Sequence, residues 1–354
     1  MQANQQMIQF PGFPDFFVVG APRCGTTSFC RYLARNPQIG FSQPKETHYF
    51  ARLDNEPSET ELRRDYLDRY FGHCAADCRV VGEGSVTYLY LPEAIEQILR
   101  FNPSARFIVL VRDPLTMLPS YHQRLRYLLQ EDEPDFWKAW ALQQARARGE
   151  NIPKQCLDAR LLIYSEIAKF GAQVQRLYSI AGRERTHVIV FDDLVTDPLD
   201  VYRRALEFLQ VDYDGQTRFE RKCPSRMYRY RWLQQLLYLP VMRRGKVIDT
   251  LRRHKANYHQ DGSKRRSLIS RVAGWNTIAE SPAPLTPQVA GVVRETLRPD
   301  VQLLSRLLDR DLSSWLAGKI DRVTYRLLPY WGSTASDPGG GRPPALQKFL
   351  PKSM

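Results

Sequence analysis

Residues Phe16 to Phe29 read FFVVGAPRCGTTSF. The apolar run Phe16-Phe17-Val18-Val19 predicts a strand buried on both faces of a parallel sheet. Gly20 ends the run. Gly25 follows five residues later, then Thr26, Thr27 and a helical pattern through Phe29, Tyr32 and Leu33. Strand, glycine-bounded loop and helix form the frame of an anion cradle, because the loop's backbone N–H groups and the helix N-terminus face one point. The spacing Gly20-x-x-x-x-Gly25 is that of the nucleotide loop G-x-x-x-x-G-K-[ST]. Thr26 stands in place of its lysine, and the loop's cation, Arg23, lies upstream. An NTPase uses that lysine on the β- and γ-phosphates and the next hydroxyl on Mg²⁺. This cradle offers hydroxyls and amides but no γ-phosphate lysine, so it suits a single 5′-phosphate. The alternative is a ligand-free strand-to-helix turn. The coincidence of glycines, hydroxyls and a cation in this order favours the cradle.

A second strand-to-helix junction lies at Arg106 to Ser120, RFIVLVRDPLTMLPS. Phe107–Val111 reads as a strand, Asp113 as a helix cap and Pro114 as a first-turn residue. Arg112 then leaves the carboxyl end of a strand, where open α/β sheets place ligands. Further strands are expected at Arg79–Val81 and His187–Phe191. Helices are expected at Thr27–Arg35, Pro92–Phe101, Pro114–Gln130, Tyr164–Ile180 and Asp197–Leu209. This alternation predicts an α/β chain: a three-layer, phosphate-loop-like fold with a central, mainly parallel sheet flanked by helices.

The run Pro22-Arg23-Cys24-Gly25-Thr26-Thr27-Ser28 resembles the 5′-phosphosulfate loop of sulfotransferases, which use 3′-phosphoadenosine 5′-phosphosulfate (PAPS) as sulfuryl donor. The resemblance implies that Arg23, Cys24, Gly25, Thr26, Thr27 and Ser28 hold the 5′-phosphosulfate, and that Arg23 neutralises charge on the bridging oxygen. It implies that Arg112 and Ser120, eight residues apart, hold the 3′-phosphate. Helix geometry alone does not make that pair face each other. Gln43 to Phe50, QPKETHYF, looks like the Glu-x-His-aromatic segment of glycan O-sulfotransferases. By that likeness Glu46 is the general base and His48 its companion. Lys45 either holds Glu46 ionised or faces solvent, the second being the expectation. No metal is needed, since positioned cations can stabilise the leaving phosphate.

Two departures stand out. Glycan enzymes often carry Glu-Lys-[ST]-Pro-x-Tyr after the third strand, and its Lys contributes to catalysis. Here Glu83-Gly84-Ser85-Val86-Thr87-Tyr88 puts Gly84 in the lysine's place. The missing charge falls to Arg23, to Lys45 or to the late basic segment. Met117 replaces an Arg common in the 3′-phosphate helix, and Arg221-Lys222 is a candidate substitute for the family's late loop over the donor.

The resemblance runs from Phe16 to Trp315 and gives one domain at 15–316, after a lead at 1–14. Val190 to Val211 also fits the family pattern, and Leu297 to Trp315 resembles its closing helix. The tail at 317–354 contains Asp337 to Pro344, DPGGGRPP, and reads as partly disordered. Residues 221–285 match least. Within them, Arg221 to Arg271 hold fifteen Lys and Arg against two Asp, so this stretch carries the chain's whole net charge of +13. Aromatic residues and leucines are interleaved with it. Such a segment can bind an acidic glycan acceptor, lie on an anionic membrane surface, or form a solvated insertion. No nucleic-acid motif accompanies the charge, so nucleic acid is not an expected partner.

The chain has 354 residues, 43% of them hydrophobic, enough for one large core. It lacks a run of 18 apolar residues and a signal-peptide pattern, which predicts a cytoplasmic protein. Six scattered cysteines agree with a reducing compartment, and Cys74-x-x-x-Cys78 has no partner pair for zinc. The expected activity is sulfuryl transfer from PAPS to a hydroxyl, on a carbohydrate or glycolipid by the family likeness. The alternatives are a nucleotide-dependent kinase, disfavoured by Thr26, and a binding protein of the same fold, favoured by Gly84.

Overall fold

The computed structural model describes residues 12–317 apart from 54, 75–77, 221–224 and 244–267. The lead up to residue 11, the tail from 318, Arg221-Lys222 and much of the basic stretch lie outside the described residues. Five parallel strands form the central sheet, in the order β2-β3-β1-β4-β5. They are β1 (Phe16–Gly20), β2 (Ile39–Phe41), β3 (Val80–Gly84), β4 (Arg106–Val111) and β5 (Thr186–Val190). Every residue of β1 is buried, as the continuous apolar run requires of a central parallel strand.

The principal helices are α1 (Thr26–Leu33), α2 (Pro92–Phe101), α3 (Pro114–Tyr127), α4 (Phe170–Ala181) and α5 (Pro287–Leu308). Local chemistry starts them as read. Asp113 accepts from Leu115 N at 2.9 Å and Pro114 opens α3. Thr286 caps α5 ahead of Pro287. The helix expected over Tyr164–Ile180 is broken in two. A short helix ends at Ala168, Lys169 has ψ 68°, and α4 restarts at Phe170. The cause is distant in sequence: the Asp300 carboxylate on α5 accepts from Gly171 N and Ala172 N, both at 2.8 Å, and so satisfies the new N-terminus. The closing helix is also displaced, running Pro287–Leu308 with a separate 3₁₀ turn at Ser313–Leu316. Its Val293, Leu297, Val301 and Leu304 are buried in the core.

The weakly matching part contributes a two-stranded antiparallel ribbon, β6 (Arg226–Tyr228) and β7 (Thr277–Ala279). It is clipped to α3. Gln123 donates to Glu280 O at 3.0 Å, Tyr127 and Thr277 share a hydroxyl contact at 3.1 Å, and Gln234 donates to Tyr127 O at 2.9 Å.

The strand order places the chemistry. The loops leaving β1 and β4, which are neighbours, lead to opposite edges of the sheet. A crevice forms between such loops at the carboxyl ends of the strands. The first carries Arg23 to Ser28 and the second Arg112.

Candidate active site

Gly25 is the N-cap of α1 at φ 89°, and no side chain caps that helix. The first amides of α1 have no intrahelical partner, so they point at the crevice. Thr26 is buried, whereas Thr27 and Ser28 are half-buried on the first turn. Cys24 is different: its side chain is fully buried, its Sγ faces Pro22 O at 3.5 Å, and burial pushes the thiol pKa up. Only the backbone of Cys24 is left to meet a ligand. A Cβ at Gly25 would lie 3.0 Å from the Phe191 ring and 3.1 Å from Leu194. Gly25→Ala therefore combines a left-handed backbone with crowding. It should lower stability by about 1–3 kcal/mol, read as a lower melting temperature without ligand.

Arg23 ties the two junctions together. Its Nε donates to Ser120 Oγ at 2.8 Å, and one Nη donates to Ser225 Oγ at 3.0 Å. Arg112 donates to Arg23 O at 3.3 Å and to Thr116 Oγ1 at 3.0 Å, and its guanidinium stacks 4.5 Å from the centre of the Phe191 ring. Arg112 and Ser120 thus meet through Arg23. Ser120 is buried on α3, with Met117 fully buried near it in sequence.

Glu46 lies in the loop after β2. Lys45 Nζ is 3.2 Å from Glu46 Oε1, and His48 Nε2 is 3.5 Å from Oε2. Lys45 also donates to Thr26 Oγ1 at 3.3 Å. The expectation that Lys45 faces solvent is corrected: its side chain is only 19% exposed and links the base candidate to the phosphate loop. Its stem passes over Gly84, whose missing side chain leaves the room. His48 Nδ1 faces Thr87 Oγ1 at 2.8 Å, and His48 N donates to Ser85 Oγ at 3.0 Å. Arg23 and His48 both hold left-handed backbone, at φ 63° and 51°. Such conformations cost about 1–3 kcal/mol each and gather at functional sites.

A buried carboxylate fixes this loop from below. Glu83 is fully buried at the end of β3. It accepts from Thr47 Oγ1 at 2.8 Å, from Ser85 Oγ at 2.5 Å and from the Tyr66 hydroxyl. Burial raises the Glu83 pKa, with the hydroxyls pulling the other way. Glu46 shows the opposite balance. Burial would raise it, but the Lys45 ammonium and the His48 ring outweigh that and hold its carboxyl well below the usual range. Glu46 is therefore ionised, as a proton acceptor must be.

One site residue escapes sequence reasoning: Ser225 comes from the weakly matching segment, and no local pattern marks it. Lys45 was a candidate for the charge missing at Gly84, and its inward course agrees with that candidacy. Beyond Ser225, the ribbon and its flanking helices expose Tyr230, Trp232 and Trp275. Tyr230 and Trp275 stack at 5.6 Å, with Arg229 5.8 Å over the Trp275 ring. Asp193, just after β5, is held by Arg310 through both carboxylate oxygens. Among the described residues no helix is long and apolar enough to cross a membrane.

The sulfotransferase family model matches residues 14–215. The membrane-associated sulfotransferase kil1 of Dictyostelium discoideum is 27% identical over 122 residues, which is 34% of this chain and 25% of that protein. Human carbohydrate sulfotransferase 15 is 29% identical over 152 residues, covering 30% of this chain and 26% of its own length. The chain thus spans about a quarter of the length of these relatives. A crystal structure of a sulfotransferase from Alicyclobacillus acidocaldarius superposes with a TM-score of 0.57 at 24% identity, over 85% of this chain and 98% of that one, a likeness of fold. Because the family model spans more than half of the sequence, and both of its signature junctions meet in one crevice, the chain belongs to the sulfotransferase family.

Proposed function

We propose that the protein transfers a sulfuryl group from PAPS to an acceptor hydroxyl, with Glu46 as general base. One observation carries this reading: two sets of contacts converge on the phosphate loop, Ser120 and Arg112 on Arg23, and, three residues on, Lys45 on Thr26, with Lys45 reaching Glu46 and His48 on its far side. The donor fits what this chain offers, namely uncapped α1 amides, buried Thr26 and two arginines beyond the carboxyl ends of the neighbouring strands β1 and β4. PAPS supplies a sulfuryl group on a phosphate that leaves readily. Arg23 and the loop amides hold the 5′ end, and Arg112 with Ser120 holds the 3′-phosphate. Arg suits both tasks, since its fork meets paired oxygens and never loses its charge. Glu46 takes the acceptor's proton.

The acceptor we infer is a carbohydrate or a glycolipid headgroup. The exposed rings of Tyr230, Trp232 and Trp275, with Arg229 and Arg231 beside them, suit the apolar faces and acidic groups of such a sugar. Kil1 is membrane-associated, and a peripheral contact through this aromatic and basic surface would bring a glycolipid to the crevice.

Adenosine 3′,5′-bisphosphate should raise the melting temperature by mass action, by about 2.7 kcal/mol of stabilisation at 100 times its Kd, and ATP should raise it less. Equal stabilisation by the two would overturn the donor assignment. A labelled-PAPS transfer screen over sugars, glycolipids, phenols and peptides tests the acceptor class.

A further inference from the structure

Thr26 stands where a nucleotide loop carries its lysine. A different loop brings an ammonium to that point. Lys45 Nζ lies 3.3 Å from Thr26 Oγ1 and 3.2 Å from Glu46 Oε1. Room for its stem exists because β3 ends in glycine. A Cβ at Gly84 would fall 3.1 Å from Lys45 Cε, 3.3 Å from Cγ and 2.8 Å from Cys30 Sγ. A larger residue at 84 would displace the ammonium from the crevice. Two sequence departures, Thr26 for lysine in the loop and Gly84 at the end of β3, therefore converge on one side chain.

We propose that Lys45 is a catalytic residue that leaves Glu46 on donor arrival and holds the oxygen between sulfur and the departing phosphate. This rests on the phosphosulfate reading above. The acceptor oxygen forms its bond to sulfur as the sulfur–oxygen bond to the donor phosphate breaks. The electron pair of the broken bond stays on that phosphate oxygen, beside the Lys45 charge. The acceptor's proton passes to Glu46. One movement thus serves two ends. The ammonium meets the developing charge, and Glu46, released from Lys45 and left with His48, binds a proton more strongly when a base is needed. The other groups around Glu46 are His48 on its own loop, Thr26 and Cys30 on α1, and Glu83 behind Ser85.

Lys45→Met keeps the stem and removes the charge. With saturating PAPS, kcat should fall about 10²–10³-fold, the loss typical of one donor to a developing anion. The acid limb of kcat/KM should move to higher pH, because Glu46 loses the cation that depresses its pKa. A lysine that only neighbours Glu46 would move that limb too but would leave kcat at saturating PAPS unchanged. The second variant, Gly84→Lys with Lys45→Ala and Cys30→Ala, clears both side chains that a Cβ at 84 would meet, returns an ammonium from β3 and should regain at least tenfold of the lost kcat. Wild-type kcat in Lys45→Met overturns the proposal and leaves the phosphosulfate reading intact. If Lys45→Met proves unstable, lack of rescue in the triple variant, shown folded by its binding of adenosine 3′,5′-bisphosphate, overturns it too. Failure of the wild-type protein to transfer from PAPS would instead sink the underlying reading.

Discussion

Glu46→Gln is expected to remove sulfuryl transfer while leaving donor binding in place. The amide keeps the shape of the carboxylate and can still accept from Lys45, so the loop between Thr26 and His48 retains its contacts. What is lost is proton affinity. A positioned base contributes about 10²–10⁴-fold, and turnover should fall by that factor. Calorimetry with adenosine 3′,5′-bisphosphate should give an unchanged affinity. The pH profile follows from the same carboxylate. Lys45 and His48 outweigh burial and hold Glu46 below the ordinary value of 4.5. It stays ionised until the pH falls through that depressed value. In the wild-type protein kcat/KM, which reports the free enzyme, should therefore hold its level down to below pH 4.5 unless unfolding intervenes. Unchanged turnover in Glu46→Gln would transfer the base role to His48.

Arg146→Met should produce the largest loss of stability. Arg146 and Glu131 form a fully buried ion pair, with two hydrogen bonds of 2.7 Å and a third to Glu131 from Tyr164 at 2.7 Å. Burial alone would raise the Glu131 pKa, but the guanidinium, backbone amides and Tyr164 outweigh it and lower the value. Removing the cation leaves a buried carboxylate without its counterion, at a cost of about 3–5 kcal/mol. For a domain of this size that corresponds to a melting point lower by roughly 5–8 °C. The depressed pKa sets the sign with pH. The pair's contribution is complete above the ordinary carboxylate value and is lost as the pH falls through the folded-state value. The deficit of Arg146→Met should thus shrink in acid. Arg146→Met with Glu131→Gln should recover part of the loss, because the neutral amide needs no counterion and its oxygen still accepts from the neighbouring donors. A double variant as unstable as the single one would show that packing, not the unpaired charge, sets the cost.

Local signals were legible and distant ones were not. Phe16–Val19 and Phe107–Val111 announce themselves as continuous apolar runs, and Asp113-Pro114 carries its own cap. The strand Ile39–Phe41 is three residues long, contains Gly40 and pairs in parallel with β3. It has neither alternation nor a hairpin turn to betray it. The break at Lys169 depends on Asp300, and Ser225 depends on the ribbon's seat across α3, so no window of sequence contains either cause. At the site, the loop's own residues pointed to Arg23 and the strand end to Arg112, while Ser120, Glu46 and His48 were named by the family resemblance. The meeting of Arg112 with Ser120 through Arg23, and the inward course of Lys45, are properties of the assembled sheet edge. Lys45 was misread because an isolated lysine in a loop usually reaches water, and the space over Gly84 is visible only once β2 and β3 lie side by side.

The Asp300 carboxylate has a consequence for the order in which the chain is made. Residues 14–215, the stretch matched by the family model, leave the ribosome well before residue 300. Until then the amides of Gly171 and Ala172 lack their acceptor, and the apolar face of α4 lacks Val293, Leu297, Val301 and Leu304. The strands and most loops of the crevice are synthesised early, while Ser225 and the helix that covers α4 arrive later. The recognisable segment is therefore not a folding unit, and a stable fragment has to extend through α5 to Trp315.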